Sequence, residues 1–237
     1  MTYATFRAAA EHVARQGRLT PHQLAAWQAA WERATEEQRR AFTNDWRAEG
    51  SPAQPTAPQQ PNPLPVPYFA QLDSGTDQGR RMCFSSSCAM LLAYLRPNVL
   101  KGANGDDQYL WRVQRFGDTT SAVAQVQALA SYEVRAEFTK SADFRLLERQ
   151  IDAGFPVPVG YLHRGPVSAP AGGGHWCCVV GYDASSLIVH DPFGEADLIT
   201  GATLDRPGRF VRYSRRNFGP RWMVDGQGSG WAIIAKR

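Results

Sequence analysis

The sequence predicts an α+β domain, helices in its first half and an antiparallel sheet in its second, preceded by a small all-α module. Three observations carry this prediction. Apolar residues recur at helical spacing through residues 1–50 and again from residue 82 to about 132. After residue 155 the pattern changes to short apolar runs bounded by Gly and Pro, which read as strands. Between the two units, residues 51–67 hold seven of the sixteen prolines, the composition of an extended, semi-stiff spacer without a packed core. The predicted division is therefore a helical module at 1–50, a Pro-rich linker at 51–64 and a second domain at 65–237.

The chain has 237 residues, enough for one good core and a small satellite unit. Its 43% hydrophobic and 20% charged fractions are those of an ordinary globular protein, and no apolar run approaches the ~20 residues of a membrane span. The first residues lack a basic region followed by a long apolar core, so no signal peptide is expected and the protein is expected to be cytoplasmic on synthesis. Four cysteines are too few for a disulfide scaffold of this size, which points to free thiols. The net charge is +4, and residues 201–237 hold eight Lys/Arg against Asp205 and Asp225. Such a stretch suits contact with an anionic polymer, but with no nucleic-acid motif beside it a solvated basic face is the plainer account, and no specific nucleic-acid partner is expected.

In the module, Phe6, Ala9, Ala10 and Val13 share a helical stripe that Gly17 stops. Thr20-Pro21 opens a second helix carrying Leu24, Trp27 and Trp31, and residues 35–37 open a third with Phe42 and Trp46. Tryptophans at this spacing form a core more often than a binding face. The functional expectation for so small a unit is docking, dimerising or wall binding.

The second domain opens with an extended segment, 66–71, and a polar loop. An apolar helix from residue 82 to Leu95 follows, ended by Arg96-Pro97. Cys83 stands at its start, where unpaired backbone N–H groups and the positive end of the helix dipole stabilise a thiolate. A small buried hydrophobe is the competing role for such a cysteine. Helical patterns follow at 106–116 and 122–132, then a strand at 134–138 and a helix at 144–153. Residues 155–162 read as a strand whose prolines favour an edge or bulged position. Residues 173–194 read as two strands joined by a polar turn at 183–186. His175 opens the first strand and Asp191 closes the second. Simple counting leaves them out of register, so an irregular pairing is expected. Residues 209–213, 221–224 and 231–235 read as closing strands.

Gln71, Cys83 at a helix start, Gly174-His175-Trp176, Val180-Gly181-Tyr182 and Asp191-Pro192-Phe193-Gly194 together resemble the papain-fold cysteine peptidases. Within that fold the pattern is most similar to the C39-like branch, in which an aspartate stands where papain relatives have asparagine. The sixteen-residue step from His175 to Asp191 agrees with it, and the resemblance covers about residues 65–235. It implies a papain-like domain that hydrolyses amide bonds: Cys83 attacks the carbonyl, His175 is base and then acid, and Asp191 orients the imidazole. It also implies an oxyanion hole of Gln71 and the Cys83 N–H. Two departures stand out. Gln71 lies twelve residues before Cys83, farther than usual, with Gln78 as the competitor; and Phe84 with a serine run follows Cys83 where the group commonly has Cys-Gly-Pro.

Other candidates fit less well. Asp183 sits where a turn former belongs, and His190 alternates with Asp191 and so faces the other side of its strand. His163 is a further candidate base. Cys177 and Cys178 face opposite ways, one toward the core and the other toward a possible site. Cys83, Cys88, Cys177, Cys178 and His175 lack the paired spacing of a zinc centre, and the serines at 85–87 do not form Gly-x-Ser-x-Gly, so neither a metal nor another cofactor is expected. The plan of small module, Pro-rich spacer and thiol domain resembles phage lysins. The expected substrate is a peptidoglycan stem peptide, reached at the cell wall by a lysin released there or carried in a virion, with the basic C-terminal stretch on an anionic wall polymer. A protein or leader-peptide processing peptidase and a non-catalytic binding module are the alternatives.

Overall fold

The computed structural model describes residues 61–236 together with positions 25, 28, 29, 31–33 and 35. The chain divides into two compact units, Met1–Pro58 and Gln59–Arg237. In the first, Ala25, Gln28, Ala29 and Trp31 to Arg33 are helical and Trp31 is buried. The three-helix expectation otherwise lies outside the described residues, as does the linker before residue 61.

In the second unit a short 3₁₀ turn, Gln71–Asp73, precedes helix α1 (Cys83–Leu95), α2 (Gly105–Val113) and α3 (Ala122–Ala130). Helix α1 is apolar nearly all round, and every residue from Phe84 to Ala93 is buried, as a central core helix requires. Its serines are therefore a buried polar problem, which neighbours solve for Ser85 and Ser86, while Ser87 Oγ is left without a partner. Ser85 Oγ shares a 2.7 Å hydrogen bond with Thr119 Oγ1 and accepts from Gln125 Nε2 at 2.9 Å. Ser86 Oγ donates to Asp106 Oδ2 at 2.6 Å. Ser85 and Ser86 thus belong to a structural network at the start of the Cys83 helix. Burial pushes the Asp106 carboxyl up to about 6, outweighing the Ser86 bond that lowers it.

The remaining elements are β1 (Ala136–Ala142), α4 (Phe144–Asp152), β2 (Val157–Tyr161), β3 (His175–Tyr182), β4 (Ser186–His190), β5 (Val211–Ser214), α5 (Arg215–Trp222) and β6 (Gly230–Ala235). Side-chain caps start three of the helices: Ser121 accepts from Ala124 N, Asp143 from Leu146 N and Ser214 from Asn217 N. The strands form one antiparallel sheet in the order β1-β6-β2-β3-β4-β5. Helix α1 packs on β3 and α2, so the helical half meets the sheet where Cys83 begins.

Two sequence expectations are corrected here. Strand β2 is interior, between β6 and β3, and not an edge. Its proline is tolerated because β6 pairs only with Val159 and Gly160, leaving Pro158 outside that ladder. Residues 221 and 222 belong to helix α5 and not to a strand, because Ser214 caps a helix that runs through Pro220 to Trp222. The first closing strand begins later than expected, at Val211, and the strand expected at 134–138 runs over Ala136–Ala142.

The basic C-terminal stretch is largely committed within the fold. Arg206 pairs with Glu195, Arg212 with Asp183, Arg215 with Glu148 and Lys236 with Glu137. Arg221 is buried without a carboxylate. Its guanidinium donates to the carbonyls of Leu198 (2.7 Å), Leu162 (3.0 Å), Arg164 (3.1 Å) and Gly165 (2.6 Å), tying the loop after β2 to the 195–201 segment.

Candidate active site

Cys83 is the first residue of α1, and Met82 before it supplies no side-chain cap. The first-turn amides therefore remain available beside the thiol. Cys83 is partly exposed and lines a cleft of about 1000 Å³, together with His175, Asp191, Trp176 and the glycines 172–174. Phe84, at the second helical position, is buried and stacks on Trp176 with centroids 3.5 Å apart and planes 5° from parallel. The helix thus starts at Cys83 with Phe84 in place of the usual glycine, and that ring joins the cleft wall. Gly160 lies under the indole: a Cβ there would come within 2.9 Å of the Trp176 ring.

His175 opens β3 opposite Tyr161, and Asp191 lies one residue beyond β4. Pairing of β3 with β4 shifts register between Val179 and Gly181, the irregularity that counting required. The carbonyl of the intervening Val180 is satisfied by the Leu64 N–H at 2.7 Å. With that shift made, His175 Nε2–H donates to Asp191 Oδ1 at 2.6 Å, and Nδ1 is the ring nitrogen left for Cys83.

Asp191 is fully buried, and its carboxylate is held by four donors. Besides His175, the Phe193 N–H reaches Oδ1 at 3.1 Å, and the hydroxyls of Tyr161 and Tyr213 reach Oδ2 at 2.8 and 2.9 Å. Its backbone is pinned as well: Asp191 N–H donates to Gly208 O at 2.8 Å, and Tyr68 donates to Asp191 O at 3.1 Å. Gly208 must be glycine, since a Cβ there would collide with the Asp191 carbonyl. A buried carboxylate so fully bonded stays oriented and costs little in unmet hydrogen bonds.

Burial alone lowers the His175 pKa. The charges of Asp191 and Cys83 and the hydrogen bonds to both outweigh it and raise the value to about 10. The imidazolium is favoured in the fold across neutral pH. Its folded value lies above the ordinary ~6.5, so the stabilisation is complete below about pH 6.5 and is lost as pH rises toward 10. Denaturation of wild type and His175→Gln at pH 6, 8 and 10 should therefore show a stability gap that shrinks as pH rises.

The other sequence candidates fall as follows. Gln71 is buried on the 3₁₀ turn; its Nε2 donates to Gly79 O at 2.6 Å, and its Oε1 has no partner. Gln78 is spent on Asp77 and Arg81. Neither glutamine is among the cleft-lining residues. Asp183 is a turn former that accepts from the N–H groups of Ser185 and Ser186, at the far end of the hairpin. His190 is a buried structural histidine: Nε2 meets Val66 O, Nδ1 accepts from Phe210 N–H, and burial lowers it to about 4. His163 does line the cleft, its ring 5.6 Å from that of His175, with Nδ1 buried and unpartnered. Burial first, then the charge of His175, lowers its pKa. Cys177 and Cys178 are both buried, and neither lines the cleft. Among the described residues no cluster of His, Cys, Asp or Glu is arranged to hold a metal, and no helix is long and apolar enough to cross a membrane.

Sequence reasoning missed Tyr161, Tyr213 and Arg221. Tyr161 carried one usable signal, as a residue near the end of the strand expected at 155–162. Tyr213 reaches Asp191 only through the β4–β5 pairing, which no local pattern reveals.

The Peptidase_C39 like family matches residues 63–217, and the chain belongs to it; it is a cysteine-type peptidase of α+β, papain-like fold. Three solved structures are similar in outline. One, from Bacillus anthracis, is described as a C39-like peptidase: 18% identity, TM-score 0.49, 73% of this chain and 96% of that one covered. A double glycine motif protease from an AMS/PCAT transporter, in complex with the leader peptide, shows 18% identity, TM-score 0.44, and coverage of 72% and 91%. The peptidase domain of Streptococcus ComA, a bi-functional ABC transporter involved in a quorum-sensing pathway, shows 19% identity, TM-score 0.44, and coverage of 66% and 91%. The family match, and not these likenesses, carries the assignment. A search of curated proteins gives no match.

Proposed function

We propose that Cys83, His175 and Asp191 form the catalytic triad and that the substrate is a peptidoglycan stem peptide. The observation that carries the triad is a partly exposed thiol at an uncapped helix start, sharing one cleft with an imidazole that a buried carboxylate holds at 2.6 Å. The Cys83 thiolate attacks the scissile carbonyl, and the oxyanion is met by the Cys83 N–H; Gln71, which donates to Gly79 and does not line the cleft, would have to turn its second Nε2 hydrogen toward the cleft to join it. The imidazolium of His175 passes its proton to the leaving amine as the C–N bond breaks. Water then attacks the thioester with neutral His175 as base, releasing the carboxylic acid and restoring the thiol–imidazole pair.

For the substrate, the support is modular: a small separate unit, a Pro-rich spacer and a thiol domain suit an enzyme held to a polymer, where a weak wall-binding module adds avidity. On this reading the enzyme acts at the cell wall as an endolysin-type hydrolase. Zymography on purified peptidoglycan tests it. Clearing by wild type and none by Cys83→Ala is expected. No clearing by wild type, or clearing retained by Cys83→Ala, overturns the substrate or the nucleophile respectively.

A further inference from the structure

The walls of the cleft are charged with one sign. Arg80, Arg81, Lys140, Arg164 and Arg221 line it, and the sole acid among the lining residues is Asp191. Over the whole chain, 26 Lys/Arg face 22 Asp/Glu, so this imbalance is a property of the cleft and not of the protein's average surface. Asp191 cannot offset it, because its carboxylate is buried and its oxygens are taken by four donors.

Not all five cations are free. Arg81 is held by both oxygens of Asp118, and Arg221 is buried on four carbonyls. Arg80, Lys140 and Arg164 are exposed and form no ion pair with any described residue. Lys140 and Arg164 are nonetheless anchored at the wall. Arg80 lies three residues before the nucleophile. Lys140 Nζ sits 4.9 Å from the Trp231 ring centroid, and Arg164 Nε donates to His163 Nε2 at 3.2 Å, leaving its terminal nitrogens open.

We propose that Arg80, Lys140 and Arg164 select an acidic peptide, one that carries carboxylates close to the bond that is cut. This rests on the reading of the cleft as the substrate site. A groove lined by one sign of charge concentrates ligands of the opposite sign, and guanidinium groups bind carboxylates with paired hydrogen bonds. A peptide fits better than a polyphosphate chain. The three cations line one cleft with the thiol and imidazole of a peptidase and with the apolar rings of Phe84, Trp176 and Trp231, which suit the side chains of a peptide.

The test is binding to the full chain carrying Cys83→Ala, which needs no turnover. Rhodamine-labelled Gly/Ala octapeptides with two central Glu, Gln or Lys residues are titrated by fluorescence anisotropy at low salt and again at about 0.5 M salt. The Glu peptide should bind about tenfold more tightly than the Gln peptide, and the Lys peptide more weakly than either. The preference should collapse at high salt and in the variant Arg80→Gln/Lys140→Gln/Arg164→Gln, whose exposed positions leave the fold intact by circular dichroism. Equal binding of the Glu and Gln peptides, or a preference that survives in the triple variant, overturns the proposal. So does displacement of the Glu peptide by an oligonucleotide of equal charge at lower concentration, which assigns the cations to nucleic acid. These readings are independent of hydrolysis, so they stand apart from the outcome of zymography.

Discussion

Cys83→Ala abolishes hydrolysis, by at least about 10⁴-fold, while the protein melts within about 1 kcal/mol of wild type. The size of the first effect follows from role. With the sulfur gone no covalent intermediate can form, and the helix-start amides and His175 remain without a nucleophile to serve. The smallness of the second follows from place. Cys83 is partly exposed at the first position of α1, and the ten residues after it, not the thiol, pack that helix into the core. Serine at the same position should be no better, since His175 would have to deprotonate a far weaker acid. Peptide release by mass spectrometry and thermal melting measure the two effects separately.

Asp191→Ala has the opposite character, damaging activity and fold together. It removes the partner of His175 Nε2, of two tyrosine hydroxyls and of the Phe193 N–H, all gathered on a carboxylate that is itself fully buried. Leaving buried donors and a charged imidazole unpaired costs on the order of 3–5 kcal/mol. Asp191→Asn should recover most of that stability. The amide oxygen can accept from His175, and the Tyr161 and Tyr213 hydroxyls can rotate to accept from the amide nitrogen. It restores orientation without charge, so its activity should fall between alanine and wild type. Urea denaturation and turnover of the two variants check this. If Asp191→Ala is as stable as Asp191→Asn, the four-donor account of the carboxylate is wrong.

The parts of the site legible in the sequence are those set by local rules. An apolar helix with a cysteine at its start can be read from spacing, and so can two strands with His175 and Asp191 at one end of the hairpin. Even the irregular pairing was forced by counting, and it appears between Val179 and Gly181. What was not legible depends on the order in which distant strands meet. Strand β6 comes from the end of the chain to lie between β1 and β2, which makes β2 interior despite its proline and brings the Tyr161 strand fully into the sheet. Tyr213 reaches Asp191 from the edge strand β5, with its ring 6.2 Å from that of Tyr161. Residues 221–224, a short run of one arginine and three apolar side chains, read as a strand. The Ser214 cap and the four carbonyls gathered by Arg221 place residues 221 and 222 in a helix, and those carbonyls belong to loops far away in sequence.

The central claim is that His175 activates Cys83. The most direct measurement is alkylation by a peptidyl chloromethyl ketone at neutral pH, followed residue by residue by mass spectrometry in wild type and His175→Ala. The account predicts modification at Cys83 ahead of Cys88, Cys177 and Cys178, and a rate at Cys83 that falls about 100-fold when the imidazole is removed. Cys83 reacting equally fast without His175 would contradict it.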